Sequence, residues 1–490
     1  MKKTILAIFA FCIVSQAFAQ QSLRSAYFMD GYNGRSKLNP AFAAERSYFS
    51  VPSLGGFGFN AQSNLGVNTF LYPVDGGLTT FMSSSVSADE FLGKLKKNNK
   101  IGISGNTSLL SLGIWGKRAF FTFDISEKMN VNANLPYSIF DFMKNAGASQ
   151  YYDISNLAVN ADSRLEFAFG YSRRISDMVN FGARLKFLVG VGNADARIDK
   201  MHVQMTGDRW AVTSRGTVKA SMGLLDVKTK GEAGASVDSP DELDIVDKIE
   251  MKDLSDAGIG SLIGGYGAAI DLGAEAELIP GLKVSLALND IGVMSWRHTT
   301  VAETGDRSWY FDGFDNVSFD GDKDNSISEQ FKDLGDDLAD LAEFHRTKTD
   351  ASHLQMIAMT LNAGAEYTMP FYGGLTAGIL SSTRINGPHT WSEGRLYANL
   401  KPCTWFSFGM NYALSSFGSS MGAVLGFHTT GFSMFIGSDN LCFRYAKAAE
   451  VEGFDVPYPY GKLRLGLNFG ISFNVGRRHS LAPSRPLIDL

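Results

Sequence analysis

Three aspartates, Asp320, Asp322 and Asp324, stand at alternate positions. Carboxylates so spaced can converge on one hard cation, and calcium is the ion they would hold. The matching loop pattern also wants Gly at its sixth position and Glu at its twelfth. Here those are Asn325 and Phe331, so a solvated acidic loop explains the same residues without a metal. His345, Asp350 and His353 form the other group of catalytic or metal-binding types, at no spacing that a known site uses. His202, His298, His389, His428 and His479 are scattered singly. There is no Gly-x-Ser-x-Gly elbow, no His-Glu-x-x-His motif and no glycine-rich phosphate loop. The residues argue against an enzyme and, calcium aside, against a cofactor.

The remaining charges fall into a pattern of a different kind. Arg164 and Glu166, Arg184 and Lys186, Asp271, Glu275 and Glu277, Glu366, and Lys462 and Arg464 all sit two or four residues apart or alone among small residues. The positions between them are apolar. From Lys462 onward the odd positions are Leu463, Leu465, Leu467, Phe469, Ile471, Phe473 and Val475, and the even ones are polar or glycine. Successive side chains of a strand point to opposite faces, so one face is apolar throughout. The same alternation recurs in Leu165, Phe167, Phe169 and Tyr171, in Met359, Leu361, Ala363 and Ala365, and in Phe406, Phe408, Met410 and Tyr412. Many runs reach about ten residues, the length a tilted strand needs to cross a bilayer. The charges would then face the lumen of a barrel, where mixed signs brace the wall or hold a plug rather than select an ion.

The expected fold is therefore all-β: an antiparallel transmembrane barrel. The spanning runs number about fifteen, and single-chain bacterial barrels have an even number, so about 14 strands are expected, with 16 as the alternative. Residues 201–222 are the doubtful run, better read as an outer hairpin. Short turns such as Ile279-Pro280-Gly281 imply antiparallel neighbours. Trp296, Phe371, Tyr372, Trp391 and Trp405 flank turns and would form the interfacial girdle.

Lys2 and Lys3, a short apolar run and Ala17-Phe18-Ala19 make residues 1–19 a secretory signal, cleaved after Ala19. Residues 20–47 lack alternation and form a plug-like segment, residues 48–476 the barrel, and residues 477–490 a tail. Long inserts lie at 224–263 and 297–353, and barrels carry long loops on the outer side. In the second insert Phe331, Leu334, Leu338 and Leu341 have helical spacing; a shorter helix is expected at residues 88–97, with Ser87 as its cap. Counting turns places Cys403 and Cys442 on opposite sides of the membrane, which forbids a disulfide between them. A net charge of -5 without a basic stripe excludes nucleic acid as a partner.

Leu38-Asn39-Pro40-Ala41 before the first strand, the run Ala287-Leu288-Asn289-Asp290-Ile291-Gly292, and Gly437-Ser438-Asp439-Asn440-Leu441 resemble the long-chain fatty-acid transporter (FadL-like) superfamily. Within it the chain looks most like an uncharacterised group of Bacteroidota outer-membrane barrels. Asn468, Gly470, Phe473 and Val475 resemble the C-terminal insertion signal of such barrels. The resemblance implies a plug folded into the lumen around Leu38, Asn39, Pro40 and Ala41, and a passive route for a small hydrophobic or amphipathic ligand. It also implies outer-membrane lipid and the barrel-assembly machinery as partners. A non-transporting barrel, acting as a scaffold or partner in surface assembly or secretion, is the alternative.

Overall fold

In the computed structural model the described residues are 23–50, 56–74, 77–145, 149–205, 210–223, 225–234, 240–251, 259–304, 307–311, 344–441, 445–451, 454–459 and 461–480. The alternating runs close into a 14-stranded antiparallel barrel. Closure follows from solvent chemistry: lipid offers no partner for an open strand edge, so every spanning strand must be paired on both sides.

The crossings are β1 (Ser47–Ser50 and Phe57–Gly66), β2 (Asn98–Trp115), β3 (Ala119–Pro136), β4 (Leu157–Arg174), β5 (Val179–Met205), β6 (Gly265–Ile279) and β7 (Leu282–Glu303). They continue as β8 (His345–Met356 and Met359–Thr368), β9 (Leu375–Ile385), β10 (Trp391–Cys403), β11 (Phe406–Ser415), β12 (Gly418–His428), β13 (Phe432–Ser438) and β14 (Lys462–Val475). Pairing of β1 with both β14 and β2 shuts the ring, with Tyr48 opposite Asn474 and Gly113. The alternation sets the faces as expected: Phe169, Leu185 and Leu396 are outward and exposed, while Arg164, Arg184 and Arg395 are inward and buried.

Turns at one end are short, as at Pro280-Gly281 and Thr404-Trp405, whereas most links at the other end are long. Strand β5 has 27 residues, about 90 Å at ordinary strand rise, far more than a bilayer core of about 30 Å requires. Its first part pairs with β6, and its last part pairs with Trp210–Ser221, which in turn pairs with the end of β7. Residues 201–222 thus belong to a sheet standing beyond the long-loop end, and they add no crossing. The ladder also runs into the second insert from both sides, since β7 ends at Glu303 and β8 starts at His345. The helix after Ser87 is shorter than expected, Ala88–Leu92; the Ser87 hydroxyl accepts the Glu90 amide at 3.1 Å.

Two expected girdle residues lie inside instead. Trp296 is 1% exposed and donates its indole N–H to Gln355, and Trp391 is buried beneath the Arg24 guanidinium. Trp391 shares the inward parity of Glu393 and Arg395, and Trp296 that of Met294, so both indoles point into the lumen and find a polar partner there. Trp405, Phe371 and Tyr372 are exposed at the short-turn end. Cys403 is a free thiol there. The signal at 1–19, the helical pattern at 331–341, Asp320, Asp322, Asp324 and Cys442 lie outside the described residues.

Candidate functional site

Residues 23–46 fill the lumen. They form two short 3-10 turns, Arg24–Ala26 and Asn33–Lys37, joined by irregular chain. Such a segment inside a barrel must have its backbone groups paired by the wall. The Leu38 carbonyl accepts from the side-chain amides of Asn289 at 2.7 Å and Asn362 at 3.3 Å. The Asn39 amide donates to the Ala274 carbonyl and to the Tyr27 hydroxyl, both at 3.3 Å. The Pro40 carbonyl accepts from the Ser172 hydroxyl. Space for this turn comes from two wall glycines. A Cβ at Gly182 would overlap the Pro40 carbonyl, and one at Gly273 would overlap the Asn39 side chain.

Apolar packing holds the other side of the plug. Tyr27, Phe28, Leu38 and Phe42 cluster with Leu380 of β9 and Tyr397 of β10. Tyr397 donates its hydroxyl to the Arg24 carbonyl at 2.8 Å. The Asp439 carboxylate, just past β13, accepts from the Ser25 amide at 2.7 Å and lies 3.5 Å from Arg24. Glu393 pairs with both Arg24 and Arg395.

The inward charges of β3 to β7 form one buried network. Asp124 takes Lys37 of the plug at 3.1 Å and Arg184 at 2.7 Å. Asp271 takes Lys186 at 2.7 Å and lies 3.7 Å from Arg184. Glu166 pairs with Lys128 at 2.8 Å and Arg164 at 3.1 Å; Asp162 pairs with Arg164, and Asp290 with Lys186 and Lys128. Asp290 reaches the lumen through a bulge. The register of β6 against β7 shifts there, Asp290 has a φ of 61°, and both Asn289 and Asp290 face inward.

Of the charges the alternation singles out, Arg164, Glu166, Arg184, Lys186 and Asp271 meet in this network. Glu275 lies at the short-turn end, bonded to Asn180 and lining a cavity with Lys283 and Arg35. Glu277 accepts the Gly281 amide, and Glu366 is buried in the wall of β8. Lys462 and Arg464 stand at the long-loop end, away from the plug; Arg464 donates to the Phe417 carbonyl. The sequence reading passed over Asp124, Lys128, Asp290, Arg384, Glu393, Arg395 and Asp439. The inward parity of Glu393 and Arg395 opposite outward Leu396 was a usable signal; the parity of Asp290, reversed by the bulge, was not. Among the described residues no group of three metal-ligating side chains occurs.

Among the described residues the wall is incomplete beside β13. Strand β13 is only seven residues long. Strand β12 pairs with it over residues 423–428, and β14 over residues 468–473. Past Ser438 the chain turns into the lumen, where Asp439 and Asn440 are buried and hold the plug and Asn60. The neighbouring edges, residues 418–420 of β12 and 462–467 of β14, have no ladder partner among the described residues on that side. A cavity of about 760 Å³ lies at this gap, lined by Tyr412, Ser420, Met421, Leu441, Lys462 and Arg464 among others.

Comparison with solved structures gives long but faint likenesses. The Ralstonia pickettii toluene transporter TbuX matches with 7% identity and a TM-score of 0.38, over 94% of this chain and 95% of that one. A Pseudomonas aeruginosa FadL homologue matches with 11% identity and a TM-score of 0.35, over 93% and 99%. The translocator domain of the autotransporter NalP from Neisseria meningitidis matches with 8% identity and a TM-score of 0.30, over 92% and 96%. No curated protein matches the chain. A family model matches residues 40–439, from the Asn-Pro-Ala turn of the plug to the aspartate that clasps it, and the chain belongs to that family, described as a family of unknown function, DUF5723.

Proposed function

We propose that this chain is an outer-membrane protein of a Gram-negative bacterium, of the Bacteroidota by its resemblance, that passively passes small hydrophobic or amphipathic solutes. In this reading it is exported by a signal cleaved after Ala19, inserted by the barrel-assembly machinery and surrounded by outer-membrane lipid. The observation that carries the reading is the gap between β12 and β14. A sealed scaffold gains nothing from leaving strand edges unpaired in lipid, since each unsatisfied backbone group costs several kcal/mol there by order of magnitude, about 2–7. A side exit needs such a break. The cavity at the gap carries the apolar groups of Leu441 and of Tyr412 and Met421, the last two on the outer face of the wall.

The axial route is closed by the plug, whose turn at Leu38, Asn39, Pro40 and Ala41 is bonded on three sides. The solute therefore enters at the long-loop end and leaves sideways. The Leu38–Ala41 turn serves as the anchor of the stopper, and calcium at Asp320, Asp322 and Asp324 would steady the outer insert. The lumen charges brace the wall.

The test is entry of the hydrophobic dye N-phenyl-1-naphthylamine into liposomes carrying the protein. The parent should speed entry over protein-free liposomes, and Ser420→Trp, which fills the gap, should slow it several-fold. Equal rates for parent and empty liposomes would sink the reading. The scaffold alternative draws on the sheet that overhangs the long-loop end. Deleting residues 312–343, which leaves β7 and β8 whole, separates the two: loss of partner binding with dye entry intact favours the scaffold.

A further inference from the structure

The buried network of β3 to β7 balances by itself. Lys37, Lys128, Arg164, Arg184 and Lys186 meet Asp124, Asp162, Glu166, Asp271 and Asp290, five cations against five carboxylates, each within 4 Å of a partner. The neighbouring set of Arg24 and Arg395 with Glu393 and Asp439 balances too. Arg384 belongs to neither set. Arg384 of β9 is 8% exposed, and among the described residues no carboxylate lies within ion-pair distance of it. Its bond to protein is a donation to the Asn130 side-chain oxygen, at 3.3 Å.

A buried guanidinium without a contact partner is expensive, because burial removes its water and no carboxylate takes the place of that water at its N–H groups. Beside it lies a cavity of about 60 Å³. The walls include Arg24, Lys37, Lys128, Arg164 and Arg384, with Asp290 the one carboxylate. That volume takes a few waters or one group of a few heavy atoms; it cannot take an alkyl chain. Guanidinium forks match oxyanions in a bidentate manner.

We propose that this cavity is a binding site for one small oxyanion, phosphate- or sulfate-like, held chiefly by Arg384 with Arg164 and Lys128 beside it. The bound anion supplies the opposite charge that Arg384 lacks at contact distance. The site lies on the plug's flank, apart from the lateral gap, and does not depend on the transport reading. Its anion is either free in the water or the head of an anionic amphiphile, and both present the same oxygens.

The experiment measures thermal unfolding and calorimetric binding of the purified barrel in neutral detergent. Sodium phosphate and sodium sulfate are compared with sodium chloride at matched ionic strength. Decyl phosphate and a neutral alkyl glycoside form the second arm. Either oxyanion should raise the unfolding temperature above chloride. Arg384→Gln should weaken binding roughly ten- to hundredfold, and Arg384→Lys should retain part of it. Binding of decyl phosphate without inorganic phosphate, lost in Arg384→Gln, supports the site with an amphiphile head as source. Absence of any oxyanion-specific shift in the parent overturns the proposal, with no variant needed. The same shift in parent and Arg384→Gln, each shown folded by heat-modifiable gel mobility, overturns it as well. Dye entry in Ser420→Trp is read separately, so failure here leaves the gap untouched.

Discussion

Two lysine–carboxylate pairs in this molecule have nearly the same geometry and opposite surroundings. Lys186 and Asp271 are 2.7 Å apart in the lumen, with side chains 3% and 0% exposed. Lys228 and Glu250 are 2.8 Å apart, on a hairpin of Leu225–Thr229 and Val246–Met251 outside the barrel ladder, 33% and 43% exposed. Distance alone would rank them equal. The lumen pair is locked into a network whose members have nowhere else to find a partner, so each member is costly to remove. The outer pair competes with water at every moment and contributes little.

Removal of single partners is the sharpest way to break that comparison. Asp271→Asn leaves Lys186 to Asp290 and Arg184 to Asp124, so the buried network keeps one cation too many, and the barrel should be destabilised by about 3–5 kcal/mol, read as a lowered unfolding temperature in detergent. Asp439→Asn removes the carboxylate that clasps Ser25 and Arg24, leaving Glu393 alone to serve Arg24 and Arg395, and the loss should fall on the plug: a thiol placed by Ser36→Cys, buried in the parent, should become open to aqueous maleimide. Unchanged labelling would mean that the apolar cluster holds the plug alone. Gly273→Val overpacks the wall against Asn39 and should cost about 1–3 kcal/mol, again seen as faster labelling at position 36. Tyr27→Phe removes hydroxyl bonds to Ser285 and Asn39, worth about 1 kcal/mol.

The smallest effect belongs to the outer hairpin. Hydrogen bonds from Lys228 and Lys248 pull the Glu250 carboxyl down to about 2. A depressed carboxyl supports the fold fully above its ordinary pKa of 4.5 and loses that support as pH falls toward 2. Water screens this exposed carboxyl, so its resonance should titrate below the ordinary carboxylate range, and Glu250→Gln should lower the unfolding temperature at neutral pH less than any of the lumen substitutions. A drop as large as theirs would show that the outer pair is not the weak partner of the comparison.

The barrel was legible because lipid enforces one rule at every residue. Strand β14 alternates without exception from Lys462 to Val475, and the structure keeps that parity. The candidate site was legible only where it obeyed the same rule, as at Arg164, Glu166, Arg184, Lys186 and Asp271. Asp290 broke it by a bulge that also carries Trp296 inward; Trp391 obeyed it, sharing the parity of Glu393 and Arg395, and only its aromatic type pointed to the girdle. The plug's clasp lay beyond any local pattern: Arg24 and Asp439 are 415 residues apart. The gap was hidden for a related reason. Residues 432–437 read as an ordinary strand, and nothing in them says that the chain leaves the wall at Ser438.

The ends of the chain meet at the short-turn end. Glu45 pairs with Arg478 and accepts the His479 amide, and Arg46 donates to the Gly476 carbonyl. This staple sets the order of folding. The first strand cannot find its second neighbour until the last one is made, so the ring closes late, and the knot of contacts around Glu45 cannot exist before that. The clasp at Asp439 lies just ahead of that closing strand, so the stopper is secured and the wall completed by neighbouring stretches of late chain. Loop closure over more than 400 residues separates both the plug from its clasp and the first strand from its last neighbour, so stopper and wall share one slow step.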